Sequence, residues 1–248
     1  MYEGPATDHM DLGRTLFRFR SLTPVPVVFL LAWLLWRSRF SPGPLLGTPF
    51  WMLGPIVCLL GQALRFYVLG LVPEGTSGQG SVIEASTLNT RGPYAYVRNP
   101  LYGGNLFLVV GLLIVAQDVW VALVALAFFF GEYFFIIRAE EAFLRSRFGE
   151  QFDAWCKEVN RWVPRLTRAR DGKLRDGGFD WKRALKKEHN PFMAWGTATL
   201  ALVAWNHHAV GALSTPLATL LIALEIALTL FFVGVKGWKH KWLSRSAA

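Results

Sequence analysis

Charge is scarce in this chain. Asp, Glu, Lys and Arg make up 17% of its 248 residues, where a soluble domain carries about 25%. The deficit excludes an ordinary water-soluble domain, and 53% hydrophobic residues with 11 Trp and 19 Phe point instead to a membrane protein. Trp in particular favours the headgroup level of a bilayer. Cysteine is nearly absent. Cys58 lies in an apolar run and Cys156 in a basic segment, so neither a disulfide framework nor CxxC metal spacing is available. Acidic residues are outnumbered, 17 against 26 Lys and Arg, for a net charge of +9. In a soluble protein that balance would suggest nucleic acid. In a membrane chain it marks loops on the cytosolic side, and no nucleic-acid partner is expected. Arg14, Arg18 and Arg20 precede an apolar stretch, but no convincing small-residue cleavage site follows, which points to an uncleaved first helix. No repeat of solenoid length occurs.

What is present is a series of apolar runs, read as an all-α integral membrane protein of about six transmembrane helices. A crossing helix needs about 20 mostly apolar residues. The spans expected are 24–40, 50–72, 101–117, 119–137, 192–205 and 213–235. Spans three and four are separated only by Asp118, which makes them a tight antiparallel hairpin. Residues 138–164 are polar but periodic and continue span four as a helix. The domain reading is a cytosolic arm over 1–23, a core over 24–166, a basic linker over 167–191, and a C-terminal hairpin with a basic tail over 192–248. Loops at 41–49, 73–100 and around RDGKLRDGG break the runs by Pro and Gly. Lys and Arg crowd the arm, the 73–100 loop, the 138–190 segment and the tail, and are missing from the turns at 118 and 206–212. Both termini and the central loop are therefore expected on the cytosolic side. Arg37 and Arg39 fall on the other side, where snorkelling would have to accommodate them.

Two clusters carry polar function at a membrane edge. The first is TRGPYAYVRNPLYGGN, residues 90–105. Gly92-Pro93 starts a turn, and Tyr94 and Tyr96 place rings at the headgroup level. Arg98 offers a guanidinium fork. Asn99 suits an N-cap and Pro100 the first helical position. Gly103 and Gly104 open the helix surface to a ligand or another helix. The plainer account is a well-capped helix with one loop Arg. The second cluster is RAEEAFLRSRFGEQFDAWCKEVNRWVPRL, residues 138–166, where Glu140 and Glu141 repel each other unless donors or cations offset them. Its plainer account is a solvated acidic turn balanced by Arg138, Arg145 and Arg147. In span two, Gln62 and Arg65 share a helix face. An Arg inside a span costs at least about 2.5 kcal/mol, so it needs a partner or sits at the interface, and Glu132 in span four is the counter-ion expected. His207-His208 lacks further ligands for a metal. Glu225 is a span carboxylate open equally to a packing or assembly role and to a catalytic one, and WKRALKKE is a basic amphipathic helix suited to anionic lipid.

The pairing of GPYAYVRNPLYGGN with EEAFLRSRFGEQFDAWCKEVNRWVPR resembles the membrane methyltransferases that include isoprenylcysteine carboxyl methyltransferases and phospholipid N-methyltransferases. Order, spacing and the intervening hairpin all match, and GQALRFYVLG resembles the family's second span. The resemblance covers 61–164. It implies a non-Rossmann methyltransferase with S-adenosylmethionine at the cytosolic ends of spans three and four. The cofactor residues it implies are Tyr94, Arg98, Asn99, Pro100, Tyr102, Gly103, Glu140 and Glu141. Arg161 and Trp162 match the closing segment at the junction of cofactor and substrate. Asn99 stands where the prenylcysteine branch commonly has His, and Phe152 and Trp155 where Tyr is frequent.

On this reading the acceptor is a lipid or lipid-modified molecule arriving through the bilayer. Arg65 or Arg161 orients its carboxylate or phosphate, Gln62 and Trp162 contact it, and Glu132 or Glu141 takes the proton of an amine nucleophile. No metal is called for. The C-terminal hairpin leaves acceptor selection, homo-oligomerisation and anchoring open. The alternatives are a sterol-reductase-like enzyme using NADPH, which the Glu140-Glu141 pair argues against, and a non-catalytic scaffold or lipid-binding protein.

Overall fold

A computed structural model describes residues 5–20, 22–38, 48–72, 83–167 and 178–246. The expected loops at 41–47, 73–82 and 168–177 lie outside the described residues. The described chain is helical, with α1 Pro5–Phe19, α2 Pro24–Ser38, α3 Leu53–Leu71, α4 Pro100–Ala116, α5 Val119–Phe148, α6 Glu150–Glu158, α7 Trp181–Ala209 and α8 Thr215–Ser246. Short 3-10 turns, Pro49–Met52 and Gly92–Ala95, precede α3 and α4. No strand forms among the described residues. Among the described residues, three segments are long and apolar enough to cross a bilayer, Pro49–Leu71, Val119–Phe148 and Thr215–Lys239, and Val28–Arg37 and Pro100–Ala116 are shorter apolar helices. The architecture is that of an all-α integral membrane protein.

Several expected boundaries move. The arm over 1–23 contains a helix, α1. The expected fifth span over 192–205 is the second half of α7, which begins at Trp181, inside the expected linker, and runs through Pro191. Asp180 makes this early start, because its carboxylate accepts the Arg183 N–H at 2.9 Å as an N-cap. The sixth span and the start of the tail form one 32-residue helix, α8. Helix α5 has 30 residues, about 45 Å at 1.5 Å per residue, so about ten residues extend beyond a 30 Å hydrocarbon core. That excess carries Glu140 and Glu141 on continuous helix.

The chain divides into two compact units, each assembled from separate stretches. Unit one comprises 1–32, 71–103 and 123–178. Its core is Ala95, Phe152, Trp155 and Val159, with Tyr94, Leu144 and Phe148 packed against them. Gly13 of α1 lies against α5 so closely that an added Cβ would stand 2.8 Å from that of Ala139. Gly149, at φ +51°, makes the break between α5 and α6 in a region that favours glycine.

Unit two comprises 33–70, 104–122 and 179–248. Here α3 and α4 meet through glycines, and a Cβ on Gly61 would stand 2.7 Å from the Gly104 carbonyl oxygen. The Asp118 carboxylate caps α5 by accepting the Trp120 and Val121 N–H groups at 2.9 and 3.0 Å. Helices α7 and α8 form an antiparallel hairpin. Trp181 stacks on Trp238, His189 on Phe232, and Thr197 donates to Glu225 at 2.9 Å. The His207 ring meets Trp51 edge-on and its Nδ1 lies 2.9 Å from the Val203 oxygen, a packing role. The Arg37 guanidinium, expected to snorkel, sits 5.6 Å from the Trp33 ring centroid.

Candidate active site

The sequence places the two polar clusters far apart in the chain, and the backbone of unit one joins them. Arg98 N–H donates to the Asn160 carbonyl at 2.8 Å, and Arg165 N–H to that of Tyr96 at 2.9 Å. Val97 and Asn160 pair as an isolated parallel bridge. The Trp155 indole donates to the Tyr94 carbonyl at 3.2 Å. Asn99 occupies the N-cap position of α4, its carbonyl accepting the Gly103 N–H at 3.0 Å. Its side-chain amide does other work, donating to the Arg161 carbonyl at 3.1 Å. Asn99, expected as a helix cap and as a cofactor residue, therefore also fastens the closing segment to the loop.

The adjacent carboxylates diverge. Glu141 sits between Arg98, at 3.0 Å, and the fork of Arg161, whose Nε and Nη2 donate to its two oxygens at 3.0 and 2.6 Å. Glu140 turns the other way and accepts the Tyr102 hydroxyl at 2.8 Å. The repulsion expected between them is thus offset by two guanidinium groups on one side and a phenol on the other. Bidentate, charge-assisted contacts of this kind are among the stronger hydrogen bonds. Arg98 also donates to the Cys156 sulfur at 2.9 Å, while its Nε is buried without a partner. The hydrogen bond with Glu141 holds the Arg161 guanidinium charged, raising its pKa. Burial pushes the Cys156 thiol up, and the Arg98 charge only partly opposes this. Burial, then the nearby Glu140 charge, pushes the Tyr94 phenol far up, so it stays a neutral donor.

An aromatic rim flanks these charges. Tyr102 lies 4.5 Å from Tyr133, ring to ring, and Tyr133 4.4 Å from Phe129. Trp162 approaches Phe129, Phe130 and Tyr133 at 6.0 to 6.4 Å. Beside them, a Cβ added to Gly103 would meet nothing within 4 Å. Arg20 of the arm stands within electrostatic reach of Glu132, Glu140 and Tyr102. Tyr94, Arg98, Asn99, Pro100, Tyr102, Gly103, Glu132, Glu140, Glu141, Arg161 and Trp162 all belong to this unit.

Sequence reasoning passed over Arg20, Phe129, Tyr133 and Cys156. Phe129, Tyr133 and Glu140 recur at spacings of four and seven on α5, a helical stripe that could have exposed the two rings. Nothing local distinguishes Arg20 from the other arm arginines.

Arg65 and Gln62 fall in unit two and have other partners. The expected Arg65–Glu132 pair does not form. Arg65 donates from Nε and Nη2 to Glu188 at 2.9 and 2.6 Å, and from Nη1 to Asn105. Gln62 donates to Glu188 at 2.7 Å and accepts the Trp195 indole N–H at 2.9 Å. Glu132 accepts a hydrogen bond from the Thr23 hydroxyl instead. The counter-ion of the span arginine comes from α7, in a segment that reads as basic linker.

These features define the class, an all-α integral membrane protein whose loop before α4 and closing segment after α6 form one charged, aromatic-rimmed cluster. Within that class, residues 50–151 match the phospholipid methyltransferase family model. The match includes Arg98, Glu140 and Glu141 and stops before Arg161 and Trp162. The cobalt-zinc-cadmium resistance protein CzcN of Cupriavidus metallidurans is 40% identical over 83 residues, 33% of this chain and 38% of that protein. The chain therefore matches well under half the length of that relative. No solved structure matches it significantly.

Proposed function

We propose that this chain is a membrane methyltransferase that binds S-adenosylmethionine in unit one and methylates a lipid or lipid-modified acceptor. The observation that carries the reading is Glu141 held between Arg98 and Arg161, which ties a residue of each motif to one carboxylate. The cluster fits the cofactor's chemistry. The unpartnered Arg98 Nε suits a carboxylate, Glu140 an ammonium group or ribose hydroxyl, and the Tyr102–Tyr133–Trp162 faces a sulfonium. The open side of Gly103 leaves room for a ligand against α4. The family match supports the methyltransferase class.

When bound, the cofactor supplies an already activated methyl group. The residues of the chain have three tasks: to orient the acceptor, to exclude water, and, for an amine, to accept its proton. Positioning alone can contribute roughly 7–11 kcal/mol. We assign orientation of an acceptor carboxylate or phosphate to Arg161, which is more exposed than Arg98 (40% against 15%). Trp162 and its aromatic neighbours screen water. Glu132, which accepts from the Thr23 hydroxyl and lies within electrostatic reach of Arg20, suits proton acceptance better than Glu141, which two arginines hold. Arg65 and Gln62 we assign to the architecture of unit two. The Lys and Arg distribution supports placing the cluster and both termini in the cytosol, and a homo-oligomer would form through the α7–α8 hairpin.

The test is titration of the purified full chain in detergent with S-adenosylmethionine and, in parallel, NADPH. Saturable S-adenosylmethionine binding that weakens in Arg98→Ala and Glu140→Ala supports the reading. Binding of NADPH alone would favour the reductase class and sink it. Unchanged affinity in both variants would refute the site.

A further inference from the structure

Unit two holds a cavity of about 360 Å³, within the size range of small-molecule sites. Its walls are Leu59, Ala63 and Phe66 of α3, Leu185 and Phe192 of α7, and Phe231 of α8. Gln62, Glu188 and His189 supply its polar end. The first two belong to the Arg65 network, and both Glu188 oxygens are already bonded by Arg65. The Glu188 charge is thereby matched.

His189 is different. The residue is 3% exposed, its ring stacks on Phe232, and its Nδ1 makes no well-formed hydrogen bond, with only the Leu185 and Lys186 carbonyls of the preceding turn beside it. A buried polar atom so poorly satisfied is costly, and here it lies at the edge of an apolar space. The surrounding charge is positive. Burial, then the Lys239 charge, pushes the His189 pKa down; the Lys186 and Leu185 carbonyls oppose this in part, and Lys236 adds to it. The Lys236 ammonium lies 5.7 Å from the Phe232 centroid and that of Lys186 lies 5.3 Å from the Trp238 centroid, so both sit along the α7–α8 seam. Apolar walls, a poorly satisfied imidazole nitrogen and lysines within electrostatic reach together describe a receptor for an amphiphile with an anionic head.

We propose that this cavity takes one hydrocarbon chain of an anionic phospholipid, with its phosphate directed to His189, Lys236 and Lys239. The charge complementarity selects this occupant over a zwitterionic lipid, whose ammonium group the lysines would repel. The cavity is lined by residues of unit two alone, and the proposal does not depend on the methyl-transfer reading of unit one.

Native mass spectrometry of the full chain in detergent, titrated with phosphatidylglycerol, phosphatidylcholine or a free fatty acid, tests it. One phosphatidylglycerol is expected to bind more than tenfold tighter than phosphatidylcholine. A lysine near an anionic headgroup contributes about fivefold, so Lys236→Gln with Lys239→Gln should erase that preference while weak binding of both lipids persists. Ala63→Phe fills the space and should abolish binding of both, and Leu185→Gln provides a second block if the first variant does not fold. S-adenosylmethionine affinity should be unchanged in all of these. Equal retention of both phospholipids, or a preference that survives the lysine and wall variants alike, shows ordinary annular lipid and overturns the proposal. Binding of the fatty acid without phosphatidylglycerol overturns it as well.

Discussion

Glu141 is the residue on which unit one's charged cluster turns. It has no backbone role in joining the motifs, yet both arginines are aimed by it. Glu141→Gln removes the charge and keeps the shape. Each lost charge-assisted bond is worth about 1.5–3 kcal/mol, so S-adenosylmethionine affinity measured by calorimetry should fall about tenfold or more, with Glu141→Asp recovering part of it. Affinity equal to wild type would show that the arginines are held by other means. Cys156 offers a check on the local environment. Burial raises its pKa above the ordinary thiol value, more than Arg98 lowers it. The reactive thiolate is therefore a small fraction at pH 8 and grows as pH rises. In a Cys58→Ala background, alkylation should be slower at pH 8 than for an unstructured cysteine and should accelerate through pH 9 and above. Residue types alone marked Arg98, Glu140 and Glu141 as polar groups at a membrane edge, and only the family resemblance made them site candidates. They could not show which arginine each glutamate meets, since that depends on the path of residues 159–165 back across the loop.

At the scale of elements, helix contacts rest on small residues. Gly61→Leu would drive a side chain into the Gly104 carbonyl of α4, whereas a Cβ at Gly131 meets nothing within 4 Å. The thermal midpoint of the detergent-solubilised protein should drop in Gly61→Leu and stay at or above wild type in Gly131→Ala, where alanine is the better helix former. Similar midpoints for the two would refute the close α3–α4 packing. The tight hairpin at Asp118 was legible because one charge between two apolar runs leaves no other turn, and that charge caps α5. The start of α7 was not legible. WKRALKKEHN reads as surface by composition, and only the buried positions of Ala184, Glu188 and His189 show that one face of it packs inward.

At the scale of the molecule, α7 completes the unit that holds α3. Glu188 is 2% exposed and neutralises Arg65 inside the bundle. Removing one member of a buried pair costs about 3–5 kcal/mol, while replacing a pair by apolar residues is often neutral. A chain ending at residue 178 should therefore aggregate on detergent extraction, as should Glu188→Ala. Adding Arg65→Met to Glu188→Ala should restore a monodisperse peak in size-exclusion chromatography. Failure of the second change to rescue the first would show that α7 stabilises by packing alone.

The sequence by itself determined the membrane class, the helical architecture, the hairpin around Asp118 and the two polar clusters. These follow from composition and local periodicity, which act within a few turns of chain. The tertiary structure decided the partners. It set Glu188 rather than Glu132 against Arg65, drew Arg20 toward Glu140, and gave Glu141 to Arg98 and Arg161 together. Charge pairing in a low-dielectric interior is fixed by which side chains arrive within a few ångströms, and sequence spacing does not encode that distance, whether the partners are 20 positions apart, as Glu141 and Arg161 are, or 123, as Arg65 and Glu188 are.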